Sequence, residues 1–208
     1  MRNKRDLEYW TVCYRIGIGA GPGSAGALLK FKINYLNTIF GKYNINSIFD
    51  FGCGNGVVSA KLNCQSYFGV DICPLAIENF RLSIKKQNFQ AEIGQFEDYS
   101  KEIIISKLKT KPDCCICLDV LYHISDFECL KKTLQNIFNC GAKFIVLYTI
   151  PWDFPRKEIA FPNVQMYYRD ILKILSDYSN DYKLVRKSHK CITSQAIFLT
   201  YIHRDLNE

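Results

Sequence analysis

From Ser47 onward, apolar runs of strand length alternate with stretches of helical spacing. The runs over 47–51, 66–70, about 90–93, 113–118 and 143–149 predict five strands. Helices are predicted between them, at about 56–63, 74–87, 99–108 and 126–139, with Pro74 in the first turn of its helix, where a missing N–H costs nothing. Such alternation implies a parallel sheet covered by helices on both faces. Upstream, Leu28, Leu29, Lys32, Tyr35, Leu36, Ile39, Phe40 and Tyr43 recur at helical spacing, with Ser24 placed to cap that helix and Gly41 near its stop. Residues 1–26 read as a polar, aromatic arm, and its end, Gly17 to Gly26, holds five glycines and one proline and predicts a loop. Beyond the fifth strand, Pro151-Trp152-Asp153-Phe154-Pro155 and Phe161-Pro162 predict a long loop. A helix at about 168–176 follows, then two alternating runs, 182–187 and 195–202, that suit an antiparallel pair. The 208 residues suffice for a single α/β domain, divided into an arm and helix (1–45) and a core (46–208).

The run Ile48-Phe49-Asp50-Phe51-Gly52-Cys53-Gly54-Asn55-Gly56 adds chemistry to this pattern. Glycines at alternate positions let the backbone turn tightly and approach a ligand that a Cβ would obstruct. Asp71, 19 residues after Gly52, ends the second strand, where Rossmann-like folds place a carboxylate that grips ribose hydroxyls. The Gly-x-Gly-x-Gly spacing differs from the Gly-x-Gly-x-x-Gly that cradles a pyrophosphate, so a nucleoside without phosphates is the better ligand.

Three segments in order, Asp50 to Gly56, Gly69-Val70-Asp71-Ile72, and Asp113 to His123, resemble the motif series of class I S-adenosylmethionine-dependent methyltransferases. The resemblance covers about residues 46–150. It implies a Rossmann-like, seven-stranded, mostly parallel sheet in the order 3-2-1-4-5-7-6, with the last strand antiparallel, and S-adenosyl-L-methionine as cofactor with S-adenosyl-L-homocysteine as product. By the same resemblance Gly52, Cys53 and Gly54 pass beneath the methionine part, Asp50 orients its amino acid end, Ile72 packs on the adenine, and Leu118 belongs to the cofactor pocket. Gln95 stands where the family often has an acid, with Phe96 over the adenine ring.

Amino-group methyltransferases of adenine or cytosine often carry Asn/Asp-Pro-Pro-Tyr/Phe after the fourth strand. Here the sequence is Leu118-Asp119-Val120-Leu121-Tyr122-His123. No Pro-Cys nucleophile of cytosine-C5 enzymes occurs either, since Pro112 precedes Asp113. Both absences favour an oxygen acceptor, and an alcohol is a poor nucleophile while it keeps its proton. Histidine, with an ordinary pKa near 6.5, is well matched to removing it. His123 is expected to be the general base, with Asp119, one helical turn away, orienting the base or the acceptor hydroxyl.

Acceptor choice falls to the arm and the late loops. Tyr9-Trp10, Tyr14-Arg15, the glycine and serine loop and Phe31-Lys32 resemble stand-alone bacterial and viral methyltransferases associated with glycan assembly. On that resemblance Tyr9, Trp10, Arg15, Ser24, Tyr122 and Trp152 are the expected acceptor contacts: aromatic faces suit a sugar ring and Arg15 suits a phosphate or carboxylate. The leading expectation is O-methylation of a sugar, glycan or other small molecule. An RNA or cap methyltransferase and a catalytically silent S-adenosylmethionine-binding scaffold are the alternatives.

Charge and cysteine content change this picture little. The net charge of +7 makes nucleic acid a candidate partner, but the Lys and Arg residues are scattered, and a solvated basic face is the favoured reading. Ten cysteines in a chain with no export signal read as reduced core thiols, with Cys114 and Cys117 on opposite faces of one strand. No run reaches membrane-spanning length and no metal constellation stands out, so a cytoplasmic protein without a metal is expected.

Overall fold

The computed structural model describes residues 4–151, 165–167, 169–189, 191 and 194–206. Its centre is a seven-stranded sheet: β1 (Ser47–Phe51), β2 (Ser66–Asp71), β3 (Phe89–Ile93), β4 (Cys114–Leu118), β5 (Phe144–Thr149), β6 (Tyr182–Lys187) and β7 (Ile197–His203). The strand order is β3-β2-β1-β4-β5-β7-β6. The first five strands pair in parallel, and β7 runs antiparallel to both β5 and β6. This is the Rossmann-like methyltransferase sheet that the motif series implies. Every residue of β1, β4 and β5 is buried, as expected of central strands covered on both faces.

Among the described residues there are six α-helices: α1 (Lys4–Arg15), which packs on the third, α2 (Gly26–Tyr43), α3 (Pro74–Ser83), α4 (Lys101–Leu108), α5 (Phe127–Asn139) and α6 (Ile171–Ser176). Alternate strand residues feed two cores. Phe49, Phe51, Cys115 and Cys117 meet Leu130, Leu134 and Ile137 of α5 on one face. Ile48, Cys114 and Ile116 meet Leu36, Ile39 and Phe40 of α2 on the other. Cys114 and Cys117 therefore do face opposite sides, and all ten cysteines are free thiols.

Several expectations need correction. The arm is not mainly irregular: its first half is α1, whose inward residues Asp6, Tyr9, Trp10, Cys13 and Tyr14 recur at helical spacing. The helix predicted at 56–63 is only a 3-10 turn, Ser59–Lys61. Gly56 has φ +80° and its face lies against the Phe80 ring of α3, which prevents a regular helix from starting there. Ser24 does not cap α2; Ala25 holds that position and makes no side-chain cap. The helix also runs past Gly41 and stops where Asn44 turns left-handed at φ 53°.

Candidate active site

The connections leave β1 and β4 in opposite directions along the sheet, so a crevice opens beyond their carboxyl ends, where open α/β sheets bind ligands. There the structure has a cleft that is open to solvent and lined mostly by apolar groups with a few convergent polar ones. Of the residues expected to contact cofactor, Asp50, Gly52, Cys53, Gly54, Asp71, Ile72, Phe96 and Leu118 line it. Gln95 is half-buried beside it and contributes no lining.

Gly52 closes the turn after β1 with φ +86°, and its amide bonds the carbonyl of Val70 at 2.8 Å. A Cβ at Gly52 would collide with Cγ2 of Val120. Asp71 fixes the same turn from the end of β2. One of its carboxylate oxygens accepts the Gly54 amide at 3.0 Å, the other that of Cys73 at 2.9 Å. Burial raises the Asp71 pKa to about 6, against the lowering effect of these amides. Asp50 is still more confined: Oδ2 accepts the Tyr67 hydroxyl at 2.5 Å, and burial brings its pKa to about 7.

Three buried polar atoms of cleft residues have no hydrogen-bond partner among the described residues: Asp50 Oδ1, Asn55 Oδ1 and Tyr14 Oη. Unpaired buried polar atoms are costly, and three around one cleft mark a place where a polar ligand completes the bonding.

Trp10, Ser24, Lys32, Asp119, Val120 and His123 also line the cleft, Val120 directly against Gly52. Asp119 sits just past β4 in the left-handed region, at φ 59°. Its Oδ2 is bound by the Lys32 ammonium, which also donates to the Gly23 carbonyl at 2.7 Å and lies 5.0 Å from the Tyr148 ring centre. Asp119 Oδ1 accepts the Tyr122 hydroxyl at 2.5 Å. Asp119 is thus engaged by Lys32 and Tyr122 and makes no hydrogen bond to His123. Leu121–His123 is a 3-10 turn, and of the two expected roles, orienting the base or the acceptor hydroxyl, the geometry leaves the second, since both residues line the cleft.

The partner of His123 is the Gln165 backbone carbonyl, 2.5 Å from His123 Nδ1. A carbonyl only accepts, so Nδ1 carries the proton and Nε2 keeps its lone pair. Burial lowers the His123 pKa and favours this neutral form. The Trp10 ring meets the imidazole edge-on at 5.0 Å, and Tyr9 stacks on it at 6.4 Å.

Of the other expected acceptor contacts, Tyr9 and Tyr122 lie behind Trp10 and Asp119 and do not line the cleft. Arg15 is exposed in a shallow groove between α1 and α3, away from the cleft. Trp152 lies outside the described residues. The sequence reading passed over Asp6, Tyr14, Lys32 and Asn55, which also line the cleft, and Gln165. Signals for two of them existed: Lys32 occupies an apolar helix position, and Asp6 shares a helical face with Trp10 and Cys13.

The sequence profile of the family described as "Methyltransferase domain" matches residues 30–169, more than half of the chain. The chain belongs to this methyltransferase family. It is 26% identical over 116 residues to a ubiquinone biosynthesis O-methyltransferase of Nitrosomonas europaea, a match covering 53% of this chain and 47% of that one. The chain thus matches about half the length of that curated relative. Among solved structures it is similar in fold to the N-methyltransferase NodS from Bradyrhizobium japonicum WM9 bound to S-adenosylhomocysteine, with TM-score 0.70, 13% identity, and coverage of 98% of this chain and 100% of that one. It is also similar to magnesium protoporphyrin IX methyltransferase from Synechocystis PCC 6803 with the same bound product, at TM-score 0.64, 18% identity, and coverage of 97% and 95%.

S-adenosylmethionine is therefore the cofactor that the cleft must fit, and the residues present suit it. Asp50 Oδ1 is an unpaired acceptor suited to an α-ammonium, and Gly52 and Gly54 bring the turn's main chain to the cleft wall. Asp71 retains lone pairs for a ribose diol beside its two amide bonds.

A pH dependence follows. An ammonium favours ionised Asp50, so affinity for S-adenosylhomocysteine is expected to be full above pH 7, to fall as pH drops through about 7, and to fall further through about 6 as Asp71 protonates. Calorimetry across pH 5–9 checks this, and Asp50→Asn is expected to remove the upper step. An affinity flat from pH 5 to 8 would contradict the assignment.

Proposed function

We propose that the enzyme transfers the methyl group of S-adenosylmethionine to a hydroxyl oxygen of a small molecule, with sugar or glycan hydroxyls as the leading acceptor class. The single observation carrying this reading is His123, held neutral on the cleft wall with its lone pair on Nε2. A hydroxyl needs such a base, whereas a neutral amine already presents a lone pair to the methyl carbon. The Nitrosomonas europaea relative, a ubiquinone biosynthesis O-methyltransferase, agrees with an oxygen acceptor.

In the proposed mechanism Asp50 and Asp71 hold the amino acid and ribose ends of the donor. Bound there, the donor would supply an electrophilic methyl carbon with a sulfur leaving group able to keep the electron pair of the broken bond. His123 Nε2 takes the acceptor proton as the new O–C bond forms. Within the segment 1–45, α1 and the glycine loop after it act as the lid while α2 belongs to the core, with Trp10 and Ser24 facing the acceptor and Tyr9 and Tyr122 supporting that wall. Holding acceptor and methyl in line is worth as much as roughly 7–11 kcal/mol, so wall shape outweighs any single base.

The test is transfer of radiolabelled methyl to panels of nucleotide sugars, oligosaccharides, phenols, amines and RNA. Label in an alkali-stable methyl ether is the expected result. Label on nitrogen, or only in RNA with a steep salt dependence, would overturn the acceptor class. Donor binding without transfer to any class would favour a silent scaffold.

A further inference from the structure

Asp6 of α1 is a buried acid far in sequence from the residues it touches. Its Oδ2 accepts the Ser125 amide at 3.0 Å, and its Oδ1 accepts the side-chain amide N–H of Gln165. Gln165 is also the residue whose backbone carbonyl accepts the hydrogen bond from His123 Nδ1–H. One residue thus carries two linked contacts: its side chain is tied to the lid helix and its main chain sets the imidazole. The neighbouring turns of α1 place Tyr9 and Trp10 on the same imidazole and Tyr14 over the glycine turn.

We propose that Asp6 is a positioning residue that couples docking of α1 over the cleft to the tautomer of His123, acting through Gln165. This rests on the reading of His123 as base. With α1 docked, Gln165 is fixed and presents its carbonyl to Nδ1, so the lone pair lies on Nε2. With α1 undocked, Gln165 loses its side-chain anchor and His123 loses both its acceptor and its aromatic neighbours. Nδ1 and Nε2 then compete for the proton, and the base is set only when the lid is closed. A lid that arms its base on closure protects the donor from transfer to water, since a proton-abstracting group is ready only in the closed cleft.

The test needs no acceptor. The 208-residue chain labelled with ¹⁵N-histidine reports the tautomer of each of its three histidines, His123 being assigned with His123→Gln. Wild type is expected to show His123 protonated at Nδ1. In Asp6→Asn the oxygen stays on the Ser125 amide, and Gln165 must turn its side-chain amide over to offer its oxygen to the new NH2. A charge-assisted hydrogen bond thus becomes a neutral one, and the Gln165 main chain is held less firmly. The variant is expected to yield mixed tautomers and roughly tenfold weaker binding of S-adenosylhomocysteine, the equivalent of one lost charge-assisted hydrogen bond. Gln165→Ala, which leaves the main-chain carbonyl in place, is expected to do the same and serves if Asp6→Asn fails to fold. The double variant Asp6→Asn/Gln165→Glu restores a charge-assisted hydrogen bond and keeps one negative charge, so it is expected to recover both readouts. Retention of a pure Nδ1–H tautomer and full affinity in folded Asp6→Asn and Gln165→Ala would overturn the coupling. If the tautomer responds as expected while His123→Ala still transfers methyl, the coupling stands and the role of His123 as base is what fails.

Discussion

Asp119→Ala is expected to lower the free energy of unfolding by about 3–5 kcal/mol, the range for breaking one side of a buried ion pair. The size comes from the partner left behind. The Lys32 side chain is 1% exposed, against 20% for Asp119, so its ammonium would remain buried with only the Gly23 carbonyl and the Tyr148 ring as partners. Such a loss is a large share of the 5–15 kcal/mol that stabilises a typical domain. Denaturant unfolding checks it. The double variant Lys32→Met/Asp119→Asn removes both charges, keeps an acceptor for the Tyr122 hydroxyl and retains a residue that tolerates φ 59°. It is expected to regain most of the lost stability. A change below about 1 kcal/mol in Asp119→Ala would show that the pair is not buried as described. Loss of activity in Asp119→Ala therefore says nothing about catalysis until the double variant has been assayed.

His123→Gln is expected to reduce turnover about 10²–10⁴-fold, the usual contribution of a positioned base, while S-adenosylhomocysteine affinity stays within about threefold. The pH profile gives a sharper signature. The base must be neutral, so the wild-type rate rises with pH through the His123 pKa, which burial holds below its ordinary 6.5. The rising limb thus lies on the acid side of 6.5 and disappears in His123→Gln. Both rates are measured on whichever acceptor the methyl-transfer panel identifies. Equal turnover by the two proteins would leave the cleft a methyl-transfer site that works by positioning alone.

The parts of the fold legible in the sequence are those set by local pattern. Buried parallel strands read as apolar runs, so β1, β2, β4 and β5 fall within one residue of their expected bounds. The glycine turn and Asp71 are a local motif with a fixed separation, and they meet in space through the Asp71 to Gly54 hydrogen bond. The sheet order came from resemblance and not from periodicity. What stayed hidden depends on contacts distant in sequence. Asp6 meets Gln165 and Ser125, and Lys32 meets Asp119, pairs that no spacing announces. Asp119 and His123 looked adjacent because a regular helical turn was assumed. The 3-10 turn and the positive φ of Asp119 send the two side chains to different partners. Arg15 was assigned to the acceptor by residue type, yet on α1 it projects from the exposed face while Tyr14 faces the cleft.

The most direct measurement is calorimetric titration of S-adenosylhomocysteine into the wild-type 208-residue chain and into Gly52→Val. A valine there would need φ +86° and would drive its side chain into Val120 at the floor of the cleft. Saturable one-to-one binding by wild type at pH 8, absent from a Gly52→Val protein that retains its circular dichroism spectrum, is the expected result. Folded wild type that releases no heat, or a valine variant that binds equally well, would contradict a donor site over this turn.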